Sequence, residues 1–537
     1  MIEAPTLWEL VERRADETPD LLFAIDESGR ELSFADFRAE AVRMADALYA
    51  QGLRPGQAVS WMLPTRIQAF VLMVALARLG VIQNPLVPIY GQREMEFCLK
   101  QTRAGWLLLE TLSEGPEGGD RKALAGAIRR ALPELKMLGI DALEVQLGSP
   151  SSRAPSDFDM PESRPEERGK DARPPVRWIF YTSGTTSAPK GAKHTDQSIL
   201  VSSKALVTAL ELAPGSRTGV VFPVTHLGGA NALASTLQAG STQLVVERFD
   251  PSTTIPFLAK HGVTHAGAGT VFYQAYLEAQ RASGEAPIFP KLKTLYGGGA
   301  PTPESLHHAV RRELGGLGIL STYGMTECPI ICMARSDDPE EKRCTTEGRV
   351  TQVDTGLRIL DPEGQSVQPG ETGEIFVRAP QQMLGYVDQD LDADAFDADG
   401  YLRTGDLGRV DDAGYLTITG RKKDVIIRKG ENISAQEIED LLAEHPAVAE
   451  VAAIGLPDPD RGEICCAVIR TTASEAPLSA EAMQTFLKAR GLMKQKIPER
   501  LEFVDGFPRN PSGKVIKQAL RERYAPSDGP ADPLIRK

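Results

Sequence analysis

The sequence predicts an α/β protein whose C-terminal part is a separate α+β unit, and three changes of texture along the chain carry that prediction. Up to Thr294–Tyr296, helical and strand-like runs alternate, as they do where helices are layered on sheets. From about Gly356, short β-type runs (Leu357–Leu360, Glu374–Val377, Tyr415–Thr419) separated by Gly- and Asp-rich turns take over, the pattern of a small barrel or twisted sheet. After Gly420-Arg421-Lys422-Lys423-Asp424 come a strand-like run Val425–Arg428, a helix from about Ala435 to His445, and strands near Val448–Gly455 and Cys465–Arg470. That stretch is long enough for its own core, so a domain boundary is expected at Gly420–Asp424.

Taken in order, the N-terminal MIEAPTLWELVERRAD reads as an amphipathic helix and lacks the charged-then-apolar pattern of a signal peptide. The most apolar stretch, Ala69 to Ile89, is interrupted by Arg78 and Asn84, which fits a buried helix followed by a strand better than a membrane span. Gly148 to Pro175 is rich in Ser, Pro, Arg, Asp and Glu and reads as an exposed connection. It ends at the apolar β-type run Val176–Tyr181. The 537 residues suggest about three or four units. With 42% apolar and 25% charged residues, folding is expected through most of the chain. The net charge of −13 argues against a nucleic-acid or membrane-surface role, though a small basic site for an anion is compatible with it. Six cysteines (98, 328, 332, 344, 465, 466) include no CxxC pair and read as reduced thiols of a cytoplasmic protein. Of the adjacent Cys465 and Cys466, at most one is expected to be buried, as on a strand with one solvated face.

Chemistry concentrates in a few segments. Tyr181-Thr182-Ser183-Gly184-Thr185-Thr186-Ser187-Ala188-Pro189-Lys190-Gly191 combines small residues, hydroxyls and one lysine, which suits a polyphosphate: backbone N–H groups can approach an anion closely, and Lys190 adds charge. It lacks the Gly-Lys-Ser/Thr ending of a Walker A loop. Gly297-Gly298-Gly299-Ala300-Pro301 follows an apolar run and lets a flat ring lie on the backbone. Tyr323-Gly324-Met325-Thr326-Glu327 adds a ring that can stack and a hard oxygen donor for Mg2+. Asp406, in Thr404-Gly405-Asp406, suits two vicinal ribose hydroxyls, and Arg421 suits ribose or phosphate. Lys514 sits on a tight turn, Pro511-Ser512-Gly513. Glu327 and Lys514, each taken alone, read as ordinary loop residues. His261 and His265 have HxxxH spacing, but Gly262 replaces the glutamate of HExxH, which argues against a metal site.

Together the segments resemble the adenylate-forming superfamily of acyl-CoA synthetases, peptide-synthetase adenylation domains and luciferases, over roughly residues 7 to 525. The resemblance implies a large N-terminal domain (1–420) of two α/β subdomains plus a small β-barrel, a hinge at 421–424, and a smaller mobile α+β domain (425–537). It implies that Thr182, Ser183, Gly184, Thr185, Thr186 and Lys190 cradle the ATP phosphates. Gly298, Gly299, Ala300, Pro301, Tyr323 and Gly324 form the adenine pocket, Thr326 contacts the α-phosphate, and Glu327 holds Mg2+. Asp406 and Arg421 serve the ribose, and Lys514 the adenylation step. His226, in Pro223–Gly229, lies beside the acyl group, with Gly229, Gly298, Gly324 and Pro329 as further lining. Lys423 occupies the hinge, and Gly430 borders the pantetheine tunnel of coenzyme A. Ser187 departs from the glycine most members carry.

The implied reaction is carboxylic acid + ATP + CoA to acyl-CoA + AMP + diphosphate. The segments Gln83–Tyr90, Thr186–Asp196 and Thr326–Ile330 are similar to bacterial cyclohexanecarboxylate-CoA ligases, which points to an alicyclic, aromatic or medium-chain acid. Loading of a separate carrier protein stays open, as do a non-catalytic nucleotide or acyl-adenylate sensor and, with less weight, luciferase-like oxidation. The expected partners are the acid and CoA, with no nucleic acid and no membrane span; a homodimer is left open.

Overall fold

The computed structural model describes residues 1–110, 118–140, 174–182, 189–284, 286–299, 302–428, 431–458, 461–472, 478–509 and 514–525. Ser183, Gly184, Thr185, Thr186, Ser187, Ala300, Pro301, Gly430 and most of the Gly148–Pro175 connection lie outside the described residues. The chain divides into two compact units. The larger comprises Met1–Leu357, Phe376–Arg403 and Gly414–Leu416; the smaller comprises Arg358–Ile375, Thr404–Ala413 and Thr417–Lys537.

The larger unit holds two mixed sheets. The first has six strands in the order Lys136–Gly139, Trp106–Leu109, Ala58–Met62, Ile82–Pro85, Trp178–Thr182 and Lys190–His194. All neighbours are parallel except the last pair. Parallel strands need a crossover, and the helix Ile67–Arg78 supplies it between Ala58–Met62 and Ile82–Pro85. Every residue from Ala69 to Leu76 is buried, as expected for a helix sandwiched on all sides. The polar interruptions of this stretch are accommodated: Arg78 lies 4.8 Å over the Trp8 ring, and the Asn84 amide donates to Ser60 Oγ at 2.7 Å.

The second sheet has nine strands in the order Arg349–Val350, Cys328–Met333, Ile319–Met325, Thr294–Gly298, His265–Ala268, Arg217–Val220, Thr242–Val245, Leu22–Asp26 and Glu31–Ser33. The six strands from Ile319–Met325 to Leu22–Asp26 are parallel. The amphipathic N-terminal helix is Leu7–Glu17, capped by the Thr6 hydroxyl. Its Arg14 is buried and donates to the carbonyls of Leu237 (2.7 Å) and Gln238 (2.8 Å), capping the end of the helix Leu227–Ala239.

A four-stranded sheet follows in chain order: Gly356–Leu360, Gly373–Arg378, Leu402–Val410 and Leu416–Arg421. In the smaller unit, Val448–Asp458 and Gly462–Thr471 form a long antiparallel hairpin, joined by Val425–Arg428, Glu431–Ser434 and Arg500–Phe503. Here one expectation is corrected: both Cys465 and Cys466 are fully buried. Cys465 packs in a core with Ile438, Leu442 and Leu487, from helices on one face, and Cys466 in a core with Leu520 and Tyr524, from the helix Lys517–Tyr524. Since both faces of this strand are covered, alternation of buried and solvated residues disappears. Among the described residues, no helix is long and apolar enough to cross a membrane.

Candidate active site

In open α/β sheets ligands bind in the crevice beyond the carboxyl ends of the parallel strands. Several of the singled-out residues of the larger unit stand at such ends. Trp178–Thr182 and Lys190–His194 pair antiparallel, with Thr182 opposite Lys190. The next described strand after Trp178–Thr182 is thus its antiparallel partner, whereas the strand before a Walker A loop leads into a helix.

At the end of Thr294–Gly298, glycine is a steric necessity. A Cβ on Gly298 would stand 1.9 Å from the Thr322 carbonyl oxygen, and Gly299 has φ +90°. The facing residue Ala268, opposite Gly297, has φ +143°, a conformation L side chains rarely adopt. Sequence reasoning did not single it out; such strain gathers at functional sites. In the next strand Tyr323 is buried, and a Cβ on Gly324 would meet the Ile330 amide nitrogen at 2.4 Å.

Thr326 and Glu327 form the turn between Ile319–Met325 and Cys328–Met333. Two elements hold this turn. His194 Nε2 donates to the Thr326 carbonyl at 2.8 Å, and its Nδ1 lies 3.0 Å from Ser198 Oγ. Burial pushes the His194 pKa down to about 4, so the ring is neutral at pH 7, and the carbonyl partner places its proton on Nε2. On the other side the Tyr386 hydroxyl donates to Glu327 Oε1 at 2.6 Å, and the Met383 amide donates to the Glu327 carbonyl at 2.8 Å. Lys190 Nζ lies 5.5 Å from the Tyr386 ring centroid. Neither the His194–Thr326 contact nor Tyr386 was foreseen; the only sequence hint was an aromatic hydroxyl after a glycine in Leu384-Gly385-Tyr386.

His226 is the N-cap residue of Leu227–Ala239. Gly229 lies over the preceding turn, where a Cβ would come within 2.0 Å of the Val224 carbonyl oxygen. Pro329 is buried in the strand after Glu327.

The smaller unit brings together Asp406 and Arg421. Asp406 is buried, and its Oδ1 lies 2.7 Å from Arg421 Nε. Gly405 has φ +70° within the strand Leu402–Val410, and the Thr404 hydroxyl accepts from the Asp406 amide at 3.1 Å. Lys423 is exposed in the 3-10 turn Lys422–Asp424. Lys514 stands where Ile516 N returns to the Pro508 carbonyl at 2.8 Å, just before the helix Lys517–Tyr524.

His261 and His265 lie on different elements. His261 caps the helix Pro251–Lys260, and His265 is buried on a strand with Nε2 3.0 Å from the Leu210 carbonyl. Among the described residues, only Glu304, His308 and Cys344 cluster closely enough to hold an ion.

A family profile described as AMP-binding enzyme matches residues 11–387, and one described as AMP-binding enzyme C-terminal domain matches residues 437–514. The chain belongs to the AMP-binding enzyme family. It is 28% identical to the medium-chain fatty-acid–CoA ligase of Escherichia coli K12, over 95% of this chain and 89% of that one. It is 30% identical to the 2,3-dihydroxybenzoate-AMP ligase of Bacillus subtilis 168, over 96% and 93%. Among solved structures, the Bacillus subtilis O-succinylbenzoate coenzyme A synthetase in complex with ATP and magnesium ion aligns with a TM-score of 0.79 and 26% identity, over 95% of this chain and 99% of that one. The protein is thus an adenylate-forming ligase of mixed α/β fold, with a large N-terminal and a smaller C-terminal domain. Its family uses ATP and Mg2+, and the CoA ligases within it use coenzyme A. The residues present fit those groups: glycines stripped of side chains at two adjacent strand ends, and a buried carboxylate fixed by a neutral donor beside them.

Proposed function

We propose that the protein is a carboxylate–CoA ligase that works through an acyl-adenylate. The observation that carries the reading is the Thr326–Glu327 turn, held from both sides at the carboxyl ends of parallel strands. In this reading the hairpin connection from Thr182 to Lys190 receives the β- and γ-phosphates. Gly298, Gly299 and Tyr323 take the adenine, Thr326 the α-phosphate, and Asp406 with Arg421 the ribose. The acid's carboxylate oxygen attacks the α-phosphorus, the bond to the β-phosphate oxygen breaks, and diphosphate leaves. Mg2+, when bound, neutralises charge on the phosphates. Glu327 contributes a negative oxygen for it, and Lys514 contributes positive charge to the attack. The thiol of CoA then attacks the acyl carbon and AMP leaves.

The two steps need different surroundings, and a hinge at 421–424 with Lys423 at its centre supplies a change between them. His226, Gly229, Gly298, Gly324 and Pro329 line the acyl side, for an alicyclic, aromatic or medium-chain acid such as cyclohexanecarboxylate. A cytoplasmic location agrees with six free, buried cysteines. Likeness to the 2,3-dihydroxybenzoate-AMP ligase, named for an adenylate and not for CoA, leaves room for a second reading, in which the acyl group passes to a carrier protein.

The test is to incubate the protein with ATP, Mg2+ and mixed carboxylic acids and to identify the acyl-adenylate by mass spectrometry. CoA or a phosphopantetheinylated carrier protein is then added. Consumption of the adenylate by CoA supports the ligase, consumption by the carrier alone supports the second reading, and no diphosphate release with any acid sinks both.

A further inference from the structure

We propose that Tyr386 is a positioning residue for the metal-binding carboxylate: its hydroxyl fixes Glu327 so that the second carboxylate oxygen faces the cation. The proposal rests on the reading above in which Glu327 holds Mg2+.

Three observations support it. First, the Tyr386 hydroxyl donates to Glu327 Oε1 at 2.6 Å, a short bond to a charged acceptor, and among the described residues Oε2 has no hydrogen-bond partner. One carboxylate oxygen is therefore committed and the other available. Second, the tyrosine is itself fixed by backbone contacts. Its segment adds to the edge of Lys190–His194 through Leu384 N to Lys193 O (2.8 Å), Lys193 N to Gly385 O (3.0 Å) and Val387 N to Gly191 O (2.8 Å). The Tyr386 amide also donates to Asp392 Oδ1 at 2.7 Å. Gly385, with φ +119°, leaves no room for a side chain, because a Cβ there would stand 2.5 Å from the Asp392 carboxylate. Third, the Lys190 ammonium lies 5.5 Å from the centroid of the same ring. One side chain thus touches the lysine that closes the phosphate hairpin and the carboxylate of the metal turn.

A tyrosine that merely satisfied a buried acid would matter for stability and leave the metal dependence unchanged. Partners that orient a metal's ligands typically change metal affinity by about 10–100-fold when removed. The experiment measures binding of an ATP analogue with a methylene α–β bridge, by fluorescence, across a series of Mg2+ concentrations, for the wild type, Y386F and E327A. Expected for Y386F is an increase of about tenfold in the half-saturating Mg2+ concentration, with analogue affinity at saturating Mg2+ within about twofold of wild type. An unchanged half-saturation in Y386F, while E327A raises it, overturns the positioning role and leaves the Glu327 reading intact. An unchanged value in E327A overturns the Glu327 reading, and the present proposal with it. Should Y386F fail to fold, Y386H, whose ring cannot reach Oε1 equally, goes through the same titration with the same two outcomes.

Discussion

Two carboxylates proposed to serve ATP, Glu327 in the larger unit and Asp406 in the smaller, are each buried within their own unit, yet they are held by opposite means. Glu327 is met by a neutral phenol contributed from 59 residues away, and its charge is not cancelled by that donor. Asp406 is met by the guanidinium of Arg421 on a following strand, itself half exposed. A neutral donor orients an anion and leaves its field for a cation, whereas an arginine offsets the charge. The difference accords with a metal at one carboxylate and a ribose at the other.

The largest effect expected outside this pair comes from Lys514, which supplies charge rather than orientation. Lys514→Ala should slow acyl-adenylate formation by about 10²–10³-fold, the scale of a lost transition-state donor, and spare thioester formation from supplied adenylate. Equal loss of both half-reactions, read by rapid quench, would remove Lys514 from the first step. Next, Asp406→Ala should raise KM for ATP by about 10–100-fold through loss of hydrogen bonds to a charged group, with Mg2+ dependence unchanged. A shifted Mg2+ optimum would break the contrast between the two carboxylates. Lys423→Pro should slow transfer to CoA more than adenylate formation; unchanged transfer would end the hinge assignment. Arg421→Ala should cost less than Asp406→Ala, because an ion pair with one half-exposed partner is worth about 1 kcal/mol or less. Isothermal titration with AMP would rank the two.

The smallest effect concerns pH. His265, buried beside the Leu210 carbonyl, has its pKa pushed down to about 4 by burial, as have His194 and His307. The unfolded chain takes up these protons near pH 6.5, and the folded one only near 4. Stability should therefore fall as pH drops from about 6.5 to 4, the window in which only the unfolded state binds them. His265→Gln should flatten that dependence by about one proton, measured as urea midpoints at pH 7 and 5. Identical slopes would show that His265 takes up its proton alike in the folded and the unfolded chain.

Much of the architecture was legible. Val425–Arg428 is a strand at the predicted bounds, and the apolar run Ala69–Ile89 resolves into Ile67–Arg78 and Ile82–Pro85. The helix expected from Ala435 to His445 ends at Ala443. Those features are local: hydrophobic period, turn residues and caps act over a few residues. Cys465 and Cys466 show the limit, since one covered face and two covered faces are indistinguishable until helices from distant segments are placed.

The site divides the same way. The sequence by itself determined which residues carry charge and where glycine permits close approach: Gly298 in a glycine run, Lys190 at the end of the Ser/Thr/Gly loop, and an acid after Thr326. Only the tertiary structure decided what holds them. His194 reaches Thr326 across 132 residues, Tyr386 reaches Glu327 across 59, and Arg14 caps a helix more than 200 residues away. Such hydrogen bonds need both partners brought within about 3 Å, and that depends on sheet order and burial rather than on neighbours in the chain.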